Sequence, residues 1–270
     1  MLKTAYYTAQ QQEEMALMSK TVQIKSSYAF LNAHNGLRKG FTHVVLGTTG
    51  GGKSTFVRSL IRDVLFGNSA KQKILFWATE ESHEECLTEM SFGLPSCDAL
   101  NSVSIFSESD ELMSEKEYIL YLTSLIEERQ PDVFIMDNIT TSAMYEGQSV
   151  RQQGAFSKHL KRICKINNVA LVIIAHTGAE VSDNMPRLIN ENDIRGGKQI
   201  VNLCEFLYIL QRFQIGESFF PTLRVKKHRG QDVDATMYSL SYDKHTRSFK
   251  NDNPIPFDRF KEMFKNRNVL

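Results

Sequence analysis

Residues 42–56, THVVLGTTGGGKSTF, carry a β-branched apolar run through a cluster of glycines into a segment of helical period. Gly47 to Ser54 fits G-x-x-x-x-G-K-S, and the strand before it and helix after it are the context that separates a phosphate-binding loop from a chance glycine turn. Glycine at Gly47, Gly50, Gly51 and Gly52 permits a tight turn that aims successive N–H groups inward, where the helix N-terminus adds partial positive charge. Gly47, Thr48, Thr49, Gly50, Gly51 and Gly52 are therefore expected to wrap a polyphosphate. Lys53 would reach its β- and γ-phosphates, Ser54 would ligate magnesium, and Thr55 would lie near an α-phosphate oxygen. The expected cofactors are ATP and Mg2+.

Further along the chain an acid is needed to complete the metal site, and VFIMDN at 133–138 places Asp137 at the carboxyl end of an apolar strand. This is a Walker B pattern, in which the carboxylate holds magnesium through its water shell. Hydrolysis also needs a group that orients water. Glu80, which follows the apolar ILFWAT and opens EESHEE, is the candidate, since ligands of open α/β sheets bind outside the carboxyl ends of strands. The alternative reading is that Glu80 and Glu81 only favour the start of the next helix through its dipole, and periodicity does not separate the two.

Around these motifs the chain alternates short apolar runs with helical stretches. Strands are expected at 42–46, 73–79, 103–106, 133–136 and 169–175, apolar at consecutive positions and so covered on both faces and parallel. Helices at 53–66, 82–92, 114–128 and 149–166 are long enough to serve as right-handed crossovers. Late strands at 206–210, 222–228 and 236–242 follow one another through short connections, which predicts antiparallel strands at the sheet edge. The fold class is thus α/β: a mainly parallel central sheet, flanking helices and late antiparallel edge strands. At 270 residues it fits one nucleotide-binding domain over 30–250, with an N-terminal arm at 1–29 and a tail at 251–270. The arm holds a polar helical segment at 10–18, to fray or to pack on a neighbouring subunit. The tail reads from Pro254 as an amphipathic helix with Phe257, Phe260, Met263 and Phe264 facing back to the domain.

Composition narrows the class. A net charge of +1 gives no global attraction to polyanions, so any nucleic-acid site must come from local charge. The longest apolar run, 169–175, is far short of the roughly 20 residues of a membrane helix, and the N-terminus lacks a secretory pattern, so a cytoplasmic protein without membrane contact is expected. The four cysteines show no metal spacing and read as buried thiols.

Taken in order, NGLRKGFTHVVLGTTGGGKST, ILFWATEES, VFIMDN, LVIIAH, DIRGGKQIVNLCEFLYILQR, KKHRGQDVD and YDKHTRSF resemble the RecA-like ATPase core of ring-shaped replicative helicases of the DnaB type, nearest their phage-type branch. The resemblance runs from Leu37 to Phe249. It implies that Glu80 is the water-activating carboxylate, that His176 senses the γ-phosphate, and that Arg229, with Lys227, is a finger reaching the site of the adjacent subunit. Tyr242 matches the aromatic that stacks on the nucleotide base. The loop between His176 and Gly197 would face a central channel and bind single-stranded DNA, with Arg187, Arg195 and Lys198 as its main cations. The resemblance thus implies a homo-oligomer, expected as a hexameric ring, that translocates on DNA and works with replication partners such as a primase or polymerase. Two rivals share the loop and Glu80: a RecA-like recombinase filament, and a circadian-clock-like ring gated by nucleotide without DNA work.

Overall fold

The computed structural model describes residues 8, 23–33, 36–67, 71–92, 97–108, 114–178, 187–215, 218–229, 236–256, 258–260 and 262. The polar segment at 10–18, and Phe257, Met263 and Phe264, lie outside them.

The short elements β1 (Gln23–Ile24), α1 (Ala29–Asn32) and β2 (Leu37–Arg38) precede β3 (Thr42–Gly47), α2 (Lys53–Phe66), β4 (Ile74–Ala78) and α3 (His83–Ser91). Then come β5 (Val103–Ser107), α4 (Glu115–Arg129), β6 (Val133–Asp137), α5 (Val150–Ile166), β7 (Ala170–His176) and α6 (Gln199–Leu203). Four strands end the series: β8 (Phe206–Ile215), β9 (Ser218–His228), β10 (Thr236–Asp243) and β11 (Ser248–Pro256).

Among the described residues the main sheet runs β11-β10-β9-β8-β3-β7-β6-β4-β5. All pairings from β8 to β5 are parallel, and the three from β8 to β11 are antiparallel. The expected architecture is present. One expectation is refined: β8 lies parallel against β3, because the chain returns to the base of the sheet through α6 before entering it.

Alternate residues of the buried strands feed two cores, as the strand period of two requires. Val45 and Phe76 face α2 and α3 with Phe56, Leu60, Val64, Cys86 and Met90. Val44, Leu46 and Trp77 face α4 and α5 with Tyr118, Leu122, Phe156 and Leu160. Helix starts are fixed locally: Ser82, Ser114 and Ser149 each form a capping box with Glu85, Glu117 and Gln152.

The chain ends differ from expectation. Ile24 and Tyr28, inside the stretch expected as an arm, are buried, and the Tyr28 hydroxyl donates to the Phe249 carbonyl at 2.7 Å. The tail helix expected from Pro254 begins later, since β11 continues to Pro256. Tyr238 pairs with Pro254 and Met237 with Ile255, and proline is tolerated because β11 is an edge strand. Phe260 does turn back onto the domain, packing edge-on against Phe213 at 5.1 Å.

Candidate functional site

Helix α2 starts without a side-chain cap. Its N-cap is Gly52, in left-handed backbone at φ 91°, a conformation that disfavours any side chain. A Cβ there would also stand 3.1 Å from the Phe249 ring. Gly47 is constrained differently: a Cβ would meet the Leu210 carbonyl oxygen of the adjacent strand at 2.6 Å. The turn between them is closed by Gly51 N–H donating to the Thr48 carbonyl at 3.1 Å, while the buried Lys53 ammonium donates to that same carbonyl. Thr49, Gly50 and Thr55 lie on the same turn and helix start, so the sequence-read loop is intact.

The acids meet this loop from neighbouring strands. Asp137, at the end of β6, lies beside the Ser54 side chain. Burial raises its carboxyl to about 6, the Ser54 hydroxyl opposing, with Glu81 adding to the rise. Ser54 and Asp137 therefore face one another as the pair that would share a hydrated divalent cation, whose charge would also relieve the desolvated acid. Such a cation needs only these two protein groups beside water and phosphate oxygens, and among the described residues no cluster of three acids, histidines or cysteines forms an alternative metal site.

His176 occupies the centre. Its Nδ1 lies 3.2 Å from Thr49 Oγ1 in the phosphate loop and its Nε2 lies 2.8 Å from Asn138 Nδ2. Glu80 Oε1 stands 3.5 Å from the same Nε2. Burial, then the nearby Lys53 ammonium, push the imidazole below its ordinary range, against the pull of Glu80, so the ring is neutral near pH 7. The orientation of Asn138 is fixed because its Oδ1 accepts from Thr140 Oγ1 at 2.7 Å and from Thr141 N at 3.1 Å, leaving the amide nitrogen to face the ring. Asn138 then donates to Nε2, and Nδ1–H is directed at Thr49. This residue was missed by sequence reasoning, although a polar side chain directly after the strand-end acid was the available signal.

The two adjacent glutamates separate in space. Glu81 is engaged by Arg58 of α2, with Nη2 2.5 Å from Oε2. Glu80 is half exposed and turned toward His176. Tyr242 is half exposed and packs at 5.9 Å on Phe249, the ring that a Cβ at Gly52 would meet. An aromatic therefore stands beside the N-terminus of α2.

The remaining candidates are not gathered here. Arg229 is 71% exposed and lies beyond the end of β9, where its Nη1 is 3.4 Å from the buried Glu205. His228 pairs with Phe206, and Phe206 with His43, four residues before Gly47. At about 3.3 Å per residue this sets Arg229 well over 10 Å from its own phosphate loop, at the opposite end of the sheet. Lys227 Nζ donates to the Val201 carbonyl at 3.0 Å, at the end of α6. On the loop after β7, Arg187 forms a two-pronged pair with Asp193 at 2.8 and 2.9 Å. Arg195 reaches Glu146 at 2.7 Å and Lys198 donates to Asn192 at 2.8 Å. Each of these three cations has an internal partner.

No curated protein matches the chain. A family model described as an AAA domain matches residues 18–181, a span that holds the phosphate loop, Glu80, Asp137, Asn138 and His176. That match covers more than half of the 270 residues, and with the loop, the strand-end acids and the mainly parallel sheet it shows that the chain belongs to the AAA domain family of P-loop ATPases and binds nucleotide.

Proposed function

We propose that the protein is an ATP-driven ring, a hexamer, that translocates on single-stranded DNA and separates duplexes. The observation that supports this reading is the separation between the phosphate loop and the exposed Arg229, which lie at opposite ends of the strands. The phosphate loop, Glu80 and His176 meet at one end, and the exposed Arg229 stands at the other, too far to serve the nucleotide of its own copy. Within one site, magnesium held by Ser54 and Asp137 would neutralise the β- and γ-phosphates. Glu80 would take a proton from the attacking water as its oxygen bonds to the γ-phosphorus and the bond to ADP breaks. Arg229 of the neighbouring copy would steady the charge on the transferred group, a contribution worth roughly 10³–10⁵ in rate where such fingers are known. His176 touches the loop and begins the segment carrying Arg187, Arg195 and Lys198, and so would pass the change at the γ-phosphate to a DNA-facing loop.

ATP turnover with and without single-stranded DNA tests this. Stimulation of about tenfold or more at low salt, fading as salt rises, is the expected outcome, because phosphate contacts release counterions. Turnover indifferent to DNA would remove the helicase reading. The internal pairing of Arg187, Arg195 and Lys198 favours one rival, a nucleotide-gated ring without DNA work. Its signature would be an assembly that persists in Glu80→Gln and has no affinity for DNA.

A further inference from the structure

Glu80 and Glu81 are adjacent acids just after β4, beside a site that needs one base, and they point apart: Glu80 toward His176 and Glu81 toward Arg58. We infer that Arg58 is a positioning residue for Glu80: it clamps Glu81 to the phosphate-loop helix and thereby sets the direction of its neighbour. This rests on the reading of Glu80 as the hydrolytic base.

Arg58 lies on α2, five residues after Lys53, so its backbone is rigidly tied to the groups that hold the phosphates. Its Nη2 meets both oxygens of Glu81, and the Cys86 thiol donates to Glu81 Oε2 at 3.5 Å. Both oxygens share one nitrogen of a mostly buried guanidinium, whose other terminal nitrogen is turned to Glu89, so the carboxylate is held against α2 in a charge-assisted contact. Glu80, the residue before Glu81 in the chain, projects toward His176. Release of Glu81 would place a second carboxylate beside Lys53 and Asp137, competing for the same cation and rotating the segment that carries Glu80.

The clamp does not end at Arg58. Its Nη1 is 3.6 Å from Glu89 Oε2 on α3, and Arg247 donates to Glu89 Oε1 at 2.8 Å from the β10–β11 turn. Arg247 also covers Phe92 at 3.8 Å from the ring centroid. That turn joins Tyr242 to Phe249, the aromatics beside the α2 N-terminus. The series Glu81, Arg58, Glu89, Arg247 thus connects the aromatic pair Tyr242 and Phe249 to the base that would take the proton from the attacking water.

Single-turnover hydrolysis and binding of a fluorescent ATP analogue, measured on Arg58→Gln, Glu81→Gln, their double variant and Arg58→Lys, test the inference. Either single substitution should slow hydrolysis by about 10- to 100-fold, the penalty of a misplaced group, while the analogue's Kd moves by less than about twofold. The double variant should be no slower than either single, because both remove one clamp, and Arg58→Lys should recover part of the rate. Hydrolysis within about twofold of the parent, or losses that multiply in the double variant, would overturn it, as would a Kd that weakens as far as the rate falls. Glu80→Gln separates the two levels. If it slows hydrolysis by about 10²-fold or more while Arg58→Gln stays within about twofold of the parent, only the clamp fails; if it hydrolyses normally, the reading of Glu80 fails and takes the clamp with it.

Discussion

Asn138 is buried with its amide shared among Thr140, Thr141 and His176, and its backbone N–H donates to Thr79 Oγ1 at 2.9 Å. Truncation to Ala would strip the partner from Nε2 of His176 and leave the Thr140 hydroxyl without its acceptor. Loss of such buried bonds costs about 1–3 kcal/mol, so Asn138→Ala should lower the urea midpoint by a corresponding amount. It should also slow hydrolysis more than it weakens nucleotide binding, because His176 then loses its fixed tautomer; steady-state kinetics beside analogue titration would measure both. A contrast is expected at Glu80, which is half exposed and carries no comparable structural bond. Glu80→Gln should leave the fold and nucleotide affinity intact while hydrolysis falls by about 10²–10⁴-fold, the usual worth of a positioned base. The sequence names Glu80 as the candidate base and leaves open whether Glu80 and Glu81 only favour the start of the next helix. What separates them is Arg58, some twenty residues away in the chain and visible only once α2 and β4 are packed. The phosphate loop was legible because its function is carried by backbone geometry, and glycine announces that geometry in the sequence. The site of Asn138 was not, because its value lies in which side chains surround it.

Elements were legible in proportion to how completely they are buried. β3, β4, β6 and β7 are covered on both faces, so their apolar runs are uninterrupted, and α2, α3, α4 and α5 begin within a residue of the positions read from sequence. β11 was not legible: SFKNDNPIP lies at the sheet edge, where solvent covers one side and proline is tolerated. The β3–β8 pair contains a buried polar element whose behaviour follows from its surroundings. His43 is fully buried, accepts from Arg38 N at 3.2 Å, lies 3.2 Å from the Tyr208 hydroxyl and stacks on Phe206 at 4.3 Å. Burial pushes it down to about 3, the Arg38 bond opposing and the charges of Arg38 and His228 adding. An unfolded imidazole takes its proton near 6.5, so between these values the unfolded chain holds the extra proton and acid favours unfolding. Stability should therefore decline as pH drops below about 6.5, with His43 contributing up to about 1.4 kcal/mol per pH unit. In His43→Gln, urea unfolding at stepped pH should show that slope reduced by about one proton between pH 6 and 4.5.

At the scale of the whole molecule, the chain cannot complete its own site if Arg229 is the finger. The register that places His228 beside Phe206 holds Arg229 at the far end of the sheet, and its backbone N–H is bonded to the Glu205 carbonyl at 3.0 Å. Glu205 is buried between Lys161, Arg229 and the Thr42 N–H, so the base of the finger is anchored and only its exposed side chain is available to a neighbour. In a head-to-tail ring every junction would then combine the phosphate loop of one copy with Arg229 of the next. Two inactive variants should rescue one another. Lys53→Ala keeps its finger but loses the phosphate grip, whereas Arg229→Ala keeps the grip but offers no finger. Mixed in equal amounts and allowed to exchange, about a quarter of junctions would pair an intact loop with an intact finger, and turnover should rise from near zero toward that fraction of the parent rate. Each variant alone should stay inactive at any concentration. A mixture as inactive as its components, although sedimentation shows mixed assemblies, would mean that Arg229 serves no neighbouring site, and the protein would be left as an ATPase whose catalytic groups all belong to one copy.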